Sequence, residues 1–311
     1  MKKILILSFL ALGYQSASAQ LVTESFGSGA NQFTMDFVTI GNPNNAADTT
    51  GAPNPAGSVG YIYNLGKYEV SRDMITKANS AGSLGITMAD MSDMGGNGVN
   101  RPATGISWYE AARYVNWLNT STGGTAAYKF SGSTFQLWSE GDAGYNANNM
   151  FRNSLAKYVI ASRNEWYKGA YGKADGSWSN FPNGSDSAPT MAASGTTANT
   201  AVYQYGTSTG PADITNAGGL SAYATMGQGG NVLEWTETAF DGINSTADES
   251  RELRGGSWSF NGGNMEASSR GEVNPPSEYY GIGFRVASVP EPSTGLLVLL
   301  GLSGLLLKRR K

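Results

Sequence analysis

The chain has 311 residues, 40% hydrophobic and 14% charged, with 42 glycines and a formal charge of −3, which suits one substantial domain with long loops. Lysine and arginine form no basic run before the last four residues, so there is no electrostatic case for nucleic acid. With no cysteine and no histidine, the chain can build no disulfide, thiol nucleophile, Ser-His-Asp triad, histidine-bound zinc or histidine facial triad, leaving carboxylate, hydroxyl, Lys, Arg and aromatic chemistry.

Lys2 and Lys3, an apolar run from Ile4 to Leu12 and the small-x-small pattern Ala17-Ser18-Ala19 read as an export signal over residues 1–19, cut by signal peptidase after Ala19. Residues 20–32 are small and polar, and a flexible lead-in is expected there. FTMDFVTIG then alternates, with Phe33, Met35 and Phe37 on one side and Thr34 and Asp36 on the other, which predicts a half-buried strand. NPNNAADTTGAPNPAG is loop by composition. VGYIYNLGKYEVS reads as a hairpin around Asn64-Leu65-Gly66, and Ser71 is placed to cap a short helix through Ala78.

Two further helices are better marked. Ser107 and Glu110 form a capping box ahead of Trp108, Ala111, Ala112, Val115 and Leu118, which repeat at helical spacing. Ser162 and Glu165 repeat the box in SRNEWYKGAYG, with Trp166 and Ala170 facing inward. Packing, rather than ligand contact, is the expected role of these aromatics. The segments 120–149 and 172–200 are long loops rich in Gly, Ser, Asn and Thr, as in a fold that tolerates irregular structure or carries function in it.

Between Gly229 and Ala287 lie three short motifs, GGNVLEWTET, LRGGSW and GFRVA. The first brings the Asn231 side chain, the Val232 carbonyl and the Glu234 carboxylate into one tight segment, a set of hard oxygen donors suited to calcium.

The C-terminus carries VPEPST, the apolar stretch GLLVLLGLSGLLL and the basic tail Lys308-Arg309-Arg310-Lys311. The apolar stretch is a marginal span, and the basic tail holds its end inside, putting the body across the inner membrane. The arrangement resembles the PEP-CTERM sorting signal of Gram-negative bacteria, with Pro290-Glu291-Pro292 as its motif. That resemblance implies transient membrane anchoring and cutting by an exosortase on the way to the cell surface or extracellular matrix. An ordinary tail anchor is the alternative.

ATGISWYEAARYVNWLN, ASRNEWYKGAYG and the three C-terminal motifs, in this order, resemble the formylglycine-generating enzyme or sulfatase-modifying-factor family over residues 33–288, with 289–311 as the sorting signal. The resemblance implies an irregular, Gly-rich α+β fold shared with C-type-lectin-like domains, with two main helices, small twisted antiparallel sheets, long loops and structural calcium. It carries a calcium site onto Asn231, Val232 and Glu234, with Leu233 in place of the usual aromatic, and a second site onto Asn199, for which no acidic partner stands at a suitable distance downstream. The family oxidase binds copper with two cysteines where this chain has Phe260 and Met265. The related sulfoxide synthases need iron-binding histidines, and there are none. Both oxidative chemistries lack their ligands here.

The expected function is therefore a non-catalytic, calcium-stabilised surface domain that binds a glycan, peptide or matrix polymer. Arg254, Trp258, Arg270 and Glu272, in segments that line the cleft of the family enzymes, are its candidate ligand residues; Arg254 is as readily a structural partner of Glu234 or another buried acid. The alternatives are an enzyme with unfamiliar chemistry in the same cleft, drawing on carboxylates such as Glu266 and Glu272, and a purely structural matrix component.

Overall fold

A computed structural model describes residues 20–290; the export signal, Glu291, Pro292 and the apolar tail lie outside it. The chain runs β1 (Leu21–Phe26), β2 (Phe33–Ile40), β3 (Tyr63–Gly66), α1 (Arg72–Gly82), α2 (Trp108–Ser121), β4 (Lys129–Ser131), β5 (Thr134–Gln136), β6 (Tyr158–Ile160) and α3 (Arg163–Tyr171). There follow β7 (Thr190–Met191), β8 (Thr200–Ala201), β9 (Leu233–Ala239), β10 (Arg251–Arg254), β11 (Gly271–Val273), β12 (Ile282–Phe284) and β13 (Val286–Ser288). One sheet has the order β1-β2-β3-β13-β6 and the other β11-β10-β9-β12, with two small two-stranded ladders beside them. All pairs in the larger sheet are antiparallel; in the second, β12 runs parallel to β9.

The alternation of β2 places Phe33, Met35 and Phe37 in the core and turns Thr34 and Asp36 outward. The lead-in is not free chain. Residues 21–26 pair with β2 from Leu21 opposite Val38 to Phe26 opposite Phe33. The apolar anchors of β1 are Phe26, buried with its ring 5.7 Å from Phe33 and 5.0 Å from Tyr158, and half-buried Val22, which packs against the core, while the backbone of β2 supplies the ladder. The expected hairpin at Asn64-Leu65-Gly66 is also absent: these residues lie inside β3, between β2 and β13. Gly66 is there for close packing, not for a turn, since a Cβ would sit 3.0 Å from the Val286 carbonyl oxygen.

All three helices begin where the serines predict. Ser71 Oγ accepts the Met74 N–H at 3.2 Å, and α1 runs past Ala78 to Gly82. In α2 the Glu110 carboxylate accepts the Ser107 N–H at 2.9 Å, and in α3 Glu165 accepts the Ser162 N–H at 2.6 Å. Trp108 is buried among the edges of Tyr128, Phe135 and Phe151. Every residue of α3 from Glu165 to Tyr171 is buried. Only its first residues, half-buried Arg163 and exposed Asn164, reach the surface.

One large apolar cluster joins the sheets and helices. Two satellites flank it, one of Trp258 with Met91, Val202, Ala212 and Val232, the other of Met265 with Phe181 and Ala201. Arg285 stands between β12 and β13, where the chain passes from one sheet to the other.

Candidate functional site

Two of the C-terminal motifs, GGNVLEWTET and GFRVA, meet at a buried charged junction with Trp166 of α3. Arg285 donates from Nη2 to Glu234 Oε1 at 2.6 Å and from Nε to Oε2 at 2.7 Å, and neither side chain is exposed. It also donates to the carbonyls of Gly66 at 2.8 Å and Met226 at 2.9 Å, while Trp166 Nε1–H reaches Glu234 Oε2 at 2.6 Å. Two desolvated charges are tolerable only with such full pairing, because each buried ion costs several kcal/mol of lost hydration (roughly, after relaxation).

Asn231 holds a left-handed backbone, φ 57°, which asparagine tolerates. Its Oδ1 accepts the Ala212 N–H at 2.8 Å, and its Nδ2 donates to both oxygens of Glu69 at 3.0 and 2.9 Å. Glu69 also accepts the Val232 N–H. Burial, then the charge of Glu234, pushes the Glu69 carboxyl well above the usual carboxylate range, against the pull of Arg285.

The expected calcium donors do not fit a shared cation in this arrangement. Both Glu234 oxygens are engaged by Arg285 and Trp166, so a dication there would face a guanidinium. Asn231 turns its oxygen to a backbone N–H and its amide nitrogen to Glu69, and Val232 enters through its N–H and a buried side chain. Asn199 is an exposed turn residue, φ 59°, whose carbonyl accepts the Thr190 N–H at 2.7 Å. Among the described residues no group of three or more Asp or Glu side chains is placed to hold a metal.

The four expected ligand residues separate into buried and surface positions. Arg254 is fully buried and donates from Nε to Glu252 Oε1 at 2.7 Å and from Nη1 to the Ala267 and Ser269 carbonyls; Nη2 reaches the Ala52 carbonyl. It lies opposite Glu234 in the β9–β10 register, yet its carboxylate partner is Glu252. Trp258 is equally buried, packed in its satellite cluster with Nε1–H donating to the Thr207 carbonyl. Neither can line a groove. Arg270 is partly exposed and joins Arg254 on Glu252, bonding Oε2 at 3.1 Å, and exposed Glu272 stands opposite Glu252 in the β10–β11 register.

A third junction was invisible to the sequence. Arg152 bridges Glu165, at 2.9 Å, and Glu237, at 2.8 Å, while Tyr61 donates to Glu165 and Tyr128 and Asn149 donate to Glu237. Burial works to raise the Glu165 carboxyl, but Arg152 and Tyr61 hold it down at about 2. The sequence likewise left Glu69, Arg163, Glu252 and Arg285 without a role. Only Arg285 had a signal, its place in GFRVA.

At the positions of the family's copper ligands, Met265 is buried with Phe181 and Ala201 while Phe260 is exposed. A small pocket opens beside Gly229, lined by Gln228, Ser221, Thr225, Asn183 and Pro182 among others, with no ionisable side chain. The ring of Trp258 lies 6.0 Å from that of Tyr280, and Phe260, Tyr279 and Tyr280 are exposed aromatic residues.

Residues 32–289 match the sulfatase-modifying factor enzyme 1-like domain family, and residues 288–311 match the PEP-CTERM protein-sorting motif. No curated protein matches the chain. Among solved structures it is similar to Treponema denticola variable protein 1, at 19% identity and a TM-score of 0.61 over 86% of this chain and 99% of that one. It is also similar to CarF, at 16% and 0.55 over 82% and 98%, and to PvdO from Pseudomonas aeruginosa, at 16% and 0.54 over 86% and 98%. At such identities the likeness is one of fold, and it agrees with the irregular α+β architecture expected from the motifs. The sorting motif implies an exported protein processed by an exosortase and sorted to the cell surface or membrane. With the family match spanning most of its length, the chain belongs to the sulfatase-modifying factor enzyme 1-like domain family.

Proposed function

We propose that the domain is a non-catalytic exported scaffold that binds a glycan, peptide or matrix polymer. The observation that carries this reading is the use made of the motif residues. Glu234, Arg254, Trp258 and Arg285 are all fully buried and bonded to protein partners, so the motifs fasten the two sheets together and present no reactive group to a substrate. The absence of cysteine and histidine from the whole chain and the uncharged lining of the pocket beside Gly229 support it further. Phe260, Tyr279 and Tyr280 offer exposed rings on which a sugar or an apolar side chain can stack.

The mature domain, supplied with copper and a cysteine-containing peptide, is expected to consume no oxygen and leave the peptide mass unchanged. A screen against glycans and cell-surface polymers is expected to find a ligand whose binding is lost in Tyr279→Ala and Tyr280→Ala. Oxygen uptake with turnover would replace this reading by an enzymatic one, and a ligand bound equally by both variants would remove the exposed tyrosines from it.

A further inference from the structure

The Arg254–Glu252 junction carries more positive charge than its one acid can pair, at the start of α3. Arg163 and Arg270 share two acceptors. Arg163 Nε and Arg270 Nη1 both donate to Glu252 Oε2, at 2.6 and 3.1 Å, and Arg163 Nη2 and Arg270 Nη1 both donate to the Phe240 carbonyl, at 2.9 and 3.1 Å. Two guanidiniums are thus held side by side, with Arg254 behind them on the other oxygen of the same carboxylate. Three arginines meet one buried acid. Burial and the charges of Arg270 and Arg254 hold Arg163 below the usual guanidinium range in spite of Glu252.

The outward donors of this pair are free. Arg163 Nη1 and Arg270 Nε and Nη2 have no hydrogen-bond partner among the described residues and none of the three is a buried orphan; the Arg270 side chain is 25% exposed and that of Arg163 12%. Two features of the 240–242 turn keep them so. Phe240 lies under the Arg270 guanidinium, with Cζ 3.9 Å from the ring centroid, and fixes its plane. Gly242, at φ 91°, lacks the Cβ that would come within 3.0 Å of Arg163 Nη1. Arg163 is moreover the first residue of α3, where the helix adds its own positive end.

We infer that Arg163 and Arg270 form a surface site for a tetrahedral oxyanion, a sulfate or phosphate group. The Nε–Nη2 edge of Arg270 offers two parallel donors to two of its oxygens, and Arg163 Nη1 offers a third. Glu272 and Asp241 are exposed acids on β11 and in the turn, and they weaken it without filling it: among the described residues Arg270 has no carboxylate partner but Glu252. The site shares no residue with the exposed aromatics and stands or falls independently of them.

The test is calorimetric titration of the mature domain with sodium sulfate and sodium phosphate, against sodium chloride at matched ionic strength, followed by dextran sulfate against dextran. Saturable binding of sulfate or phosphate is expected. Arg270→Gln should weaken it by about ten-fold or more, the value of a charge-assisted fork, and Glu272→Gln should tighten it about two- to five-fold by removing a surface repulsion. Dextran sulfate binding without dextran binding would assign the group to a polymer; binding of the free ions without dextran sulfate would assign it to a small anion. Sulfate and phosphate indistinguishable from chloride, or binding unchanged in Arg270→Gln with its circular dichroism intact, would overturn the site. Should that variant not fold, failure of Glu272→Gln to tighten binding overturns it equally.

Discussion

Arg285 grips Glu234 fork to fork, at 2.6 and 2.7 Å, with both side chains sealed from solvent, and this pair fastens the chain's passage from β12 to β13 onto the GGNVLEW segment. It joins two motifs some fifty positions apart and explains why both are needed. Removing one partner strands the other charge in the interior. Glu234→Gln and Arg285→Met are each expected to lower unfolding stability by about 3–5 kcal/mol. Replacing both together, Glu234→Leu with Arg285→Met, should recover part of the loss; denaturant titration of the three variants checks the coupling.

Two buried carboxyls should give stability opposite pH dependences. Glu165 is held at about 2, below its ordinary value of 4.5, so its contribution is present above pH 4.5 and is lost as pH falls through 2. Glu165→Gln should remove that acid-side slope, along with the pairing to Arg152. Glu69 is raised, so its contribution is present below pH 4.5 and is lost as pH rises through its folded value. Glu69→Gln should flatten the decline on the alkaline side. Melting temperatures of each variant across the pH range, set beside those of the native chain, test both signs.

Chelation should leave the melting curve of the mature domain in place, because the oxygens of Glu234 and Asn231 are already spent on Arg285, Trp166 and Ala212. A drop of several degrees in chelator, restored by calcium, would show the ion competing with Arg285 for Glu234 or bound elsewhere on the chain.

Replacing Pro290 and Pro292 with alanine should leave the C-terminal tail uncut and the protein retained in the membrane fraction, as the sorting motif at residues 288–311 implies. Fractionation with mass spectrometry of the C-terminus reads this directly. Release with a normally trimmed end would mean that another feature of the tail is recognised.

What the sequence made legible was local. Ser71, Ser107 and Ser162 mark three helix starts because a cap is a contact over three residues, and β2 announces itself because one face of it is buried along its length. β1 was missed because one phenylalanine, a half-buried valine and a borrowed ladder hold it. Asn64-Leu65-Gly66 suggested a turn because glycine signals a bend as readily as it signals a close approach of two strands.

The sequence by itself determined that the chain has no thiol or imidazole chemistry, that residues 288–311 carry a sorting motif, and that its motifs follow the order of one family, since these depend on which residues are present and in what succession. The tertiary structure alone decided which acid meets which base. Arg254 could have paired with Glu234, its neighbour in the sheet register, but it turns to Glu252, leaving Glu234 to Arg285 and moving the expected calcium donors and half of the expected ligand residues into the interior. Such choices are set by desolvation: a buried charge is tolerated only where packing brings it a complete set of partners, and those partners come from distant parts of the chain.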